Sequence, residues 1–398
     1  LFIKNRNFSY LCMAFLISSI GDWLYRLALP IIILSKTDSA YHAATAFGVS
    51  FIPWIIFSLL GGSLADNYAK KKILIIGNLF AASAVPLLLF ILMEKQINFA
   101  LLYSAVFVLS SVDPLIHPSF QSIIPEIIED NHFAEANAAI QTIDNTLSIM
   151  GPLIGGSLVA FLGNYNALWI DLISFLMTAV ILTRLPSVKS KEIKIGLAIK
   201  ELASDVFEGA SYSFREKVIF SGSVMFLFTN FALNMFEANF IYYMTKSLNY
   251  PIFEATLAMS IGGIGSLIAG FGGSRIVNHF RAGILLSSST IMAGLSTLLL
   301  LLSTNYIYIG FVLGVISFFG TINVITYFTL RQKTVSKRIL GRVVSVTRMV
   351  SYASIPVGSW FGGVLLAHGQ SMFTVILLAG IIRTLTGIGA KFSPLGRE

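Results

Sequence analysis

Twelve apolar runs follow one another along this chain of 398 residues, at about 8–35, 42–65, 73–93, 98–121, 136–162, 165–185, 217–245, 252–274, 282–303, 305–330, 342–367 and 370–391. A bilayer core about 30 Å thick takes roughly 20 residues of helix, and backbone groups in lipid must find their partners inside the spanning structure. Runs of this length read as helices, so the fold class is all-α and integral to a membrane. Composition agrees: 56% of residues are apolar and 12% charged, against about 25% charged in soluble domains.

The basic residues give an orientation. Lys70–Lys72, Arg184, Lys189, Lys191, Lys194, Arg275, Arg281, Arg331, Lys333, Lys337 and Arg338 fall in alternate loops, and the opposite loops hold only Lys36, Lys95 and Lys246. Lysine- and arginine-rich loops stay in the cytoplasm, so both termini are expected there, in the cell (inner or plasma) membrane. The net charge of +8 is thereby a topology signal, and no nucleic-acid partner is expected. The chain begins with Leu1, and its native start is expected upstream. The first apolar run is too long for a signal-peptide core.

One long polar stretch divides six runs from six. The boundaries read as a bundle over 1–186, a cytoplasmic linker over 187–216 and a second bundle over 217–398. Leu197, Leu202 and Phe207 share the linker with Glu201, Asp205 and Glu208 at helical spacing. That pattern suits either an amphipathic helix on the membrane surface or a solvated connector. The block Gly61-Gly62-Ser63 before Lys70-Lys71-Lys72 has an echo in Gly272-Gly273-Ser274 before Arg275 and Arg281. Two pseudo-symmetric six-helix halves are the expectation, an arrangement frequent among transporters.

Ionisable groups inside apolar runs are costly and normally face a cavity or a partner. Asp22 and Arg26 lie one helical turn apart in the first run. The fourth run carries Ser110, Asp113, His117 and Gln121 on one stripe, and the fifth carries Gln141, Asp144 and Ser148. The seventh carries Asn230, Asn234 and Glu237; the tenth Tyr327; the eleventh Arg348; the twelfth Arg383. Glu237 has no cation within one turn, and a carboxyl that exchanges a proton can carry it through a cycle. Asp22–Arg26 also reads as a neutralised structural pair, Asp113 as a partner for backbone freed by Pro114, and His117 as a solvated residue near a helix end. Cys12 reads as a small apolar residue of the first helix. No Cys/His set has zinc spacing, so no metal is expected.

The stretch Gly62-x-Leu64-Ala65-Asp66-Asn67-x-Ala69-Lys70-Lys71 resembles the loop between helices 2 and 3 of the major facilitator superfamily. The family pattern there is Gly-x-Leu-Ala-Asp-Arg-x-Gly-Arg-Lys, from which Asn67 and Ala69 depart. Gly21-Asp22, Ala28-Leu29-Pro30, Asp113-Pro114, Pro118-Ser119-Phe120-Gln121, Pro125-Glu126 and Gly341-Arg342-Val343 resemble its drug- and siderophore-exporter branch, which includes macrolide efflux pumps and the enterobactin exporter. Gly151-Pro152-Leu153-Ile154-Gly155-Gly156 resembles the exporter motif of helix 5, with Leu147 in place of its leading glycine. It also reads as a plain small-residue packing face. The family's helix-4 Arg-x-x-Gln-Gly motif is absent: Ser110-Ser111-Val112-Asp113 stands there.

The resemblance implies a secondary active transporter that exports an amphiphilic organic compound, drug or siderophore-like, by proton antiport with alternating access. It is expected to act as a monomer in the lipid bilayer, without cofactor, on the proton gradient alone. Glu237, Asp22, Asp113 and Asp144 are then the proton-coupling candidates. Arg26, His117, Gln141, Asn230, Asn234, Tyr327, Arg348 and Arg383 are the candidates for the substrate cavity. Gly62, Asp66, Lys70, Lys71 and Arg342 would form a conformational latch, Asp66 meeting the start of helix 11. A lipid flippase is the alternative, since lysophospholipid transporters of the superfamily share the helix-1 Gly-Asp. A remote alternative, an integral-membrane enzyme built on Asp113 and His117, lacks an accompanying nucleophile, metal set or cofactor motif. An ATP-driven pump is disfavoured because no Gly-x4-Gly-Lys-Ser/Thr loop occurs.

Overall fold

The computed structural model describes residues 5–128, 133–186, 195–336 and 339–398, and among them there is no strand. Among the described residues, twelve helices are long and apolar enough to cross a membrane. They are α1 (Arg6–Thr37), α2 (Ala40–Val49 and Ile52–Asn67), α3 (Lys70–Met93), α4 (Phe99–Ser110 and Val112–Ile127), α5 (Phe133–Leu162) and α6 (Asn164–Leu182). After a linker helix (Ile195–Arg215) come α7 (Lys217–Glu237), α8 (Ile252–His279), α9 (Ala282–Leu299), α10 (Tyr306–Thr334), α11 (Leu340–Ala367) and α12 (Met372–Phe392). Large apolar side chains such as Phe161, Phe271 and Phe392 stand exposed, as lipid-facing surface requires.

The two broken helices have one cause. A proline inside a helix lacks the N–H that would bond residue i−4, and its ring crowds that carbonyl. Pro53 acts on Val49, the last residue of the first half of α2, and Pro114 acts on Ser110, where the first half of α4 ends. Helix starts follow capping chemistry. Asn98 Oδ1 accepts from the amides of Ala100 and Leu101 before α4, and Asn305 Oδ1 from those of Ile307 and Tyr308 before α10.

The chain divides into two compact units, 1–36 with 52–202 and 37–51 with 203–398. This differs from the division expected at 186 and 217, for two local reasons. The second half of the linker helix packs on the start of α11: a Cβ on Gly209 would stand 2.8 Å from the Arg342 carbonyl oxygen, and Glu208 pairs with Arg342. The first half of α2 also packs on α11. There a Cβ on Gly48 would lie 3.1 Å from Pro356 Cα, and one on Gly363 3.0 Å from Tyr41 Cα. An ion pair from Lys246 Nζ to Asp38 Oδ1 at 2.6 Å fixes the same end of that unit.

Within each unit, small residues bring helices together, as lipid-embedded packing demands. In the first unit a Cβ on Gly61 of α2 would stand 2.2 Å from the Pro114 carbonyl oxygen of α4, and one on Gly77 of α3 2.3 Å from Ile116 Cγ2. In the second unit a Cβ on Gly265 of α8 would stand 1.8 Å from the Gly314 carbonyl oxygen of α10. The echoed Gly-Gly-Ser blocks use different glycines. Gly61 makes the close approach in the first while Gly62 meets nothing within 4 Å, whereas Gly273 approaches Ile325 in the second while Gly272 meets nothing.

Candidate functional site

In the first unit three acids from three helices converge: Asp22 of α1, Asp113 of α4 and Asp171 of α6 lie within electrostatic range of one another. Asp171 is fully buried, and neither of its carboxylate oxygens has a hydrogen-bond partner. It comes close to α1 because Gly21 carries no side chain: a Cβ there would stand 2.6 Å from Asp171 Oδ1. Ser174 Oγ, one turn on, donates to the Asp171 carbonyl oxygen at 2.7 Å, and Thr178 Oγ1 donates to the Ala14 carbonyl oxygen at 3.2 Å, tying α6 to α1. Arg26 is the cation within range of Asp22, and its guanidinium sits 5.8 Å from the centre of the Trp23 ring. The Tyr25 hydroxyl approaches Ser110 without closing a hydrogen bond of good geometry.

Of the residues singled out in the sequence, Asp22, Arg26 and Asp113 thus share one site, and Asp171 joins them unannounced. Its signal was present: an acid inside an apolar run, with Ser174 and Thr178 at i+3 and i+7. His117 lies further along α4 with its ring 5.6 Å from that of Trp54, edge to face. Gln141 and Asp144 lie on an exposed face of α5, where Gln141 Nε2 donates to Asn145 Oδ1 at 3.1 Å. Gly151 and Gly155 of the helix-5 motif seat α5 on α1: Cβ atoms there would stand 2.4 Å from Trp23 Nε1 and 2.8 Å from Leu27 Cδ1. Pro152 and Gly156 are buried beside them.

In the second unit, the residues expected along a cavity divide by role. Asn230 Nδ2 donates to the Ser351 carbonyl oxygen at 3.2 Å, and Asn234 Nδ2 to that of Asn230 at 2.8 Å, so both serve the contact of α7 with α11 and its own turns. Tyr327 is buried; its hydroxyl lies 3.1 Å from Ser223 Oγ and donates to the Ile219 carbonyl oxygen at 3.0 Å. Its ring packs on Phe226 and lies under the Arg331 guanidinium, 4.5 Å from the ring centre. Arg348 is exposed and within electrostatic range of Arg331. Glu237 is exposed at the end of α7, and Arg383, buried in α12, lies within its electrostatic range.

The loop residues are placed locally. Lys70 Nζ pairs with Glu126 Oε1 at 2.5 Å. Lys71 Nζ donates to the carbonyl oxygens of Thr183 and Leu185, at 2.7 and 2.5 Å, beyond the end of α6. Arg342 pairs with Glu208 of the linker helix. Asp66 falls within the second half of α2, and its side chain lies outside the described residues.

A twelve-span helical membrane protein with an acid cluster inside one bundle is the architecture of a multi-pass transporter. Residues 11–359 match the Major Facilitator Superfamily, and the chain belongs to that family. It is similar to the multidrug efflux pump Tap of Mycolicibacterium fortuitum, at 25% identity over 97% of this chain and 95% of that one. It is also similar to an uncharacterised MFS-type transporter, YfiS, of Bacillus subtilis, at 24% identity over 98% and 93% of the two chains. Among solved structures, the nucleoside transporter NupG superposes with a TM-score of 0.77 at 13% identity, covering 97% of this chain and 98% of that one. An inward-facing bacterial homologue of the iron transporter ferroportin gives 0.73 at 14%, covering 97% and 98%. At these identities the structural likeness speaks for the fold.

Proposed function

We propose that this transporter exports an amphiphilic organic compound in exchange for protons, with Asp171, Asp22 and Asp113 as the proton-carrying group. The observation that carries the reading is Asp171, buried with neither oxygen hydrogen-bonded and with two further carboxylates in range. An ionised carboxylate in such surroundings is expensive, and like charges beside it add to the cost. Taking up one proton removes much of that penalty, and releasing it on the other side of the membrane completes a cycle. Asp171 therefore takes first place over Glu237, which is exposed and has Arg383 in range. Similarity to pumps named for multidrug efflux supports an organic substrate. The loop lysines and arginines support a cell-membrane protein with both termini cytoplasmic.

The test uses purified protein in proteoliposomes with an imposed pH gradient, screened against amphiphilic organic cations, siderophores and lysophospholipids. Accumulation of an organic compound against its gradient is expected only when ΔpH is present. Asp171→Asn should abolish that accumulation while sparing counterflow exchange of the same compound at equal pH. Gradient-driven accumulation by Asp171→Asn at the wild-type level removes Asp171 from the mechanism. Movement of lysophospholipid alone would favour the flippase.

A further inference from the structure

Arg383 in α12 is 2% exposed, and neither its Nε nor its Nη1 has a hydrogen-bond partner. A guanidinium stays protonated at any pH a folded protein survives, so it has no neutral form to fall back on. A buried charge with donors left unmet is strongly destabilising, and the negative charge within range, Glu237, lies at the end of α7 and does not line the space around Nε and Nη1. The guanidinium sits between α12 and α10, its Nη2 3.9 Å from where a Cβ on Gly320 would be. It lines a cavity of about 20 Å³ together with Ala232, Phe236, Thr297, Leu313 and Ala379. That volume suits one particle the size of a water molecule or a little larger.

The lining decides what that particle is. Thr297 Oγ1 gives its proton to the Ala293 carbonyl oxygen at 2.9 Å, and the remaining lining is hydrocarbon, so the guanidinium is the available donor. Glu237 lies within electrostatic range of Arg383 but stands exposed at the end of α7. We propose that this cavity is a site for a small, singly charged, weakly hydrated anion of the halide kind, held by Arg383 inside the second unit. Sulfate and phosphate need more donors and more room. A mostly apolar wall penalises ions that cling to their water, so bromide and chloride should bind and fluoride should not. The site does not depend on the proton-antiport reading.

The experiment measures Tm of the purified full chain in detergent as sodium gluconate is replaced by sodium bromide, chloride, fluoride or formate at constant ionic strength, which holds screening fixed. Binding to the folded state alone raises Tm in a saturable way. Bromide and chloride should give a saturable rise of a few degrees, with fluoride and gluconate flat. Arg383→Gln should remove the difference between halide and gluconate. Should that variant not fold, saturable radiochloride binding by the wild-type protein takes its place. Glu237→Gln, which removes a competing negative charge, should tighten halide binding severalfold. Equal Tm in halide and gluconate, or no saturable chloride binding, would overturn the proposal. A formate effect exceeding that of bromide would overturn the halide assignment in favour of a carboxylate.

Discussion

Asp171 of α6 rests against Gly21 of α1: a Cβ on Gly21 would stand 2.6 Å from Asp171 Oδ1 and 2.0 Å from Ser174 Oγ. The Gly21-Asp22 pair therefore does two things at once. Its glycine makes room for one buried acid, and its aspartate brings a second within range of the first.

Gly21→Ala tests that fit. Overpacking costs about 1–3 kcal/mol, and the better helix propensity of alanine returns up to about 1 kcal/mol. A net fall in Tm is expected. Ser174→Ala removes the atom that the new methyl would strike first, so the double variant should be more stable than the two single effects added together. Residues in contact couple in this way. Strict additivity by thermal unfolding would show that Gly21 and Ser174 do not share the space.

Lys71 and Lys72 are neighbours in one lysine cluster, yet they differ in structure. Lys71 Nζ holds the carbonyl oxygens of Thr183 and Leu185, whereas Lys72 is exposed. A cation at a helix C-terminus adds a few tenths to about 1 kcal/mol. Lys71→Ala should cost about 1 kcal/mol, and Lys72→Ala should stay within about 0.5 kcal/mol, as ordinary surface changes do. Equal Tm values for the two variants would deny Lys71 its capping role.

The spans were legible because bilayer thickness sets helix length: the run read at 73–93 is α3, Lys70–Met93, and the run at 370–391 is α12, Met372–Phe392. Pro114 marked the interruption of α4 because it has no N–H for the Ser110 carbonyl, although Pro118 and Pro125 lie inside the second half of α4 without breaking it. The acid cluster was half legible. Asp22 and Asp113 stood out through Arg26 and a polar stripe, while Asp171 sits in Trp169-Ile170-Asp171-Leu172-Ile173, where every sequence neighbour is apolar. What makes Asp171 matter is Gly21 on another helix. The attachment of residues 37–51 to the second unit is equally non-local, since it depends on Gly48 and Gly363 meeting α11 and α2 without side chains between them.

Tyr327 discriminates between a strut and a cavity wall. Its buried hydroxyl bonds the Ile219 carbonyl oxygen at 3.0 Å, and a typical buried hydrogen bond contributes about 1 kcal/mol. Tyr327→Phe is expected to lower Tm by a few degrees and leave the transport KM unchanged. A raised KM with unaltered Tm would place the hydroxyl against substrate instead.

Two glycines of α8, five residues apart, should respond oppositely to the same methyl group. A Cβ on Gly265 would stand 1.8 Å from the Gly314 carbonyl oxygen and 2.5 Å from its carbon, whereas one on Gly270 meets nothing within 4 Å. The atoms opposing Gly265 are backbone, so no rotamer change relieves the clash and α8 must move off α10. That movement also loosens Gly310 from Ala258, where a Cβ would lie 3.0 Å from the Ala258 carbonyl oxygen. In lipid, helices are held by close packing rather than by hydrophobic collapse, so the lost contact has no ready substitute. Gly265→Ala should cost about 3 kcal/mol or more, at the upper end of overpacking, and should lower the yield of monodisperse protein. Gly270→Ala should be neutral or up to about 1 kcal/mol stabilising through helix propensity. Matching Tm values for the two variants would mean that α8 and α10 do not meet at Gly265 and Gly314.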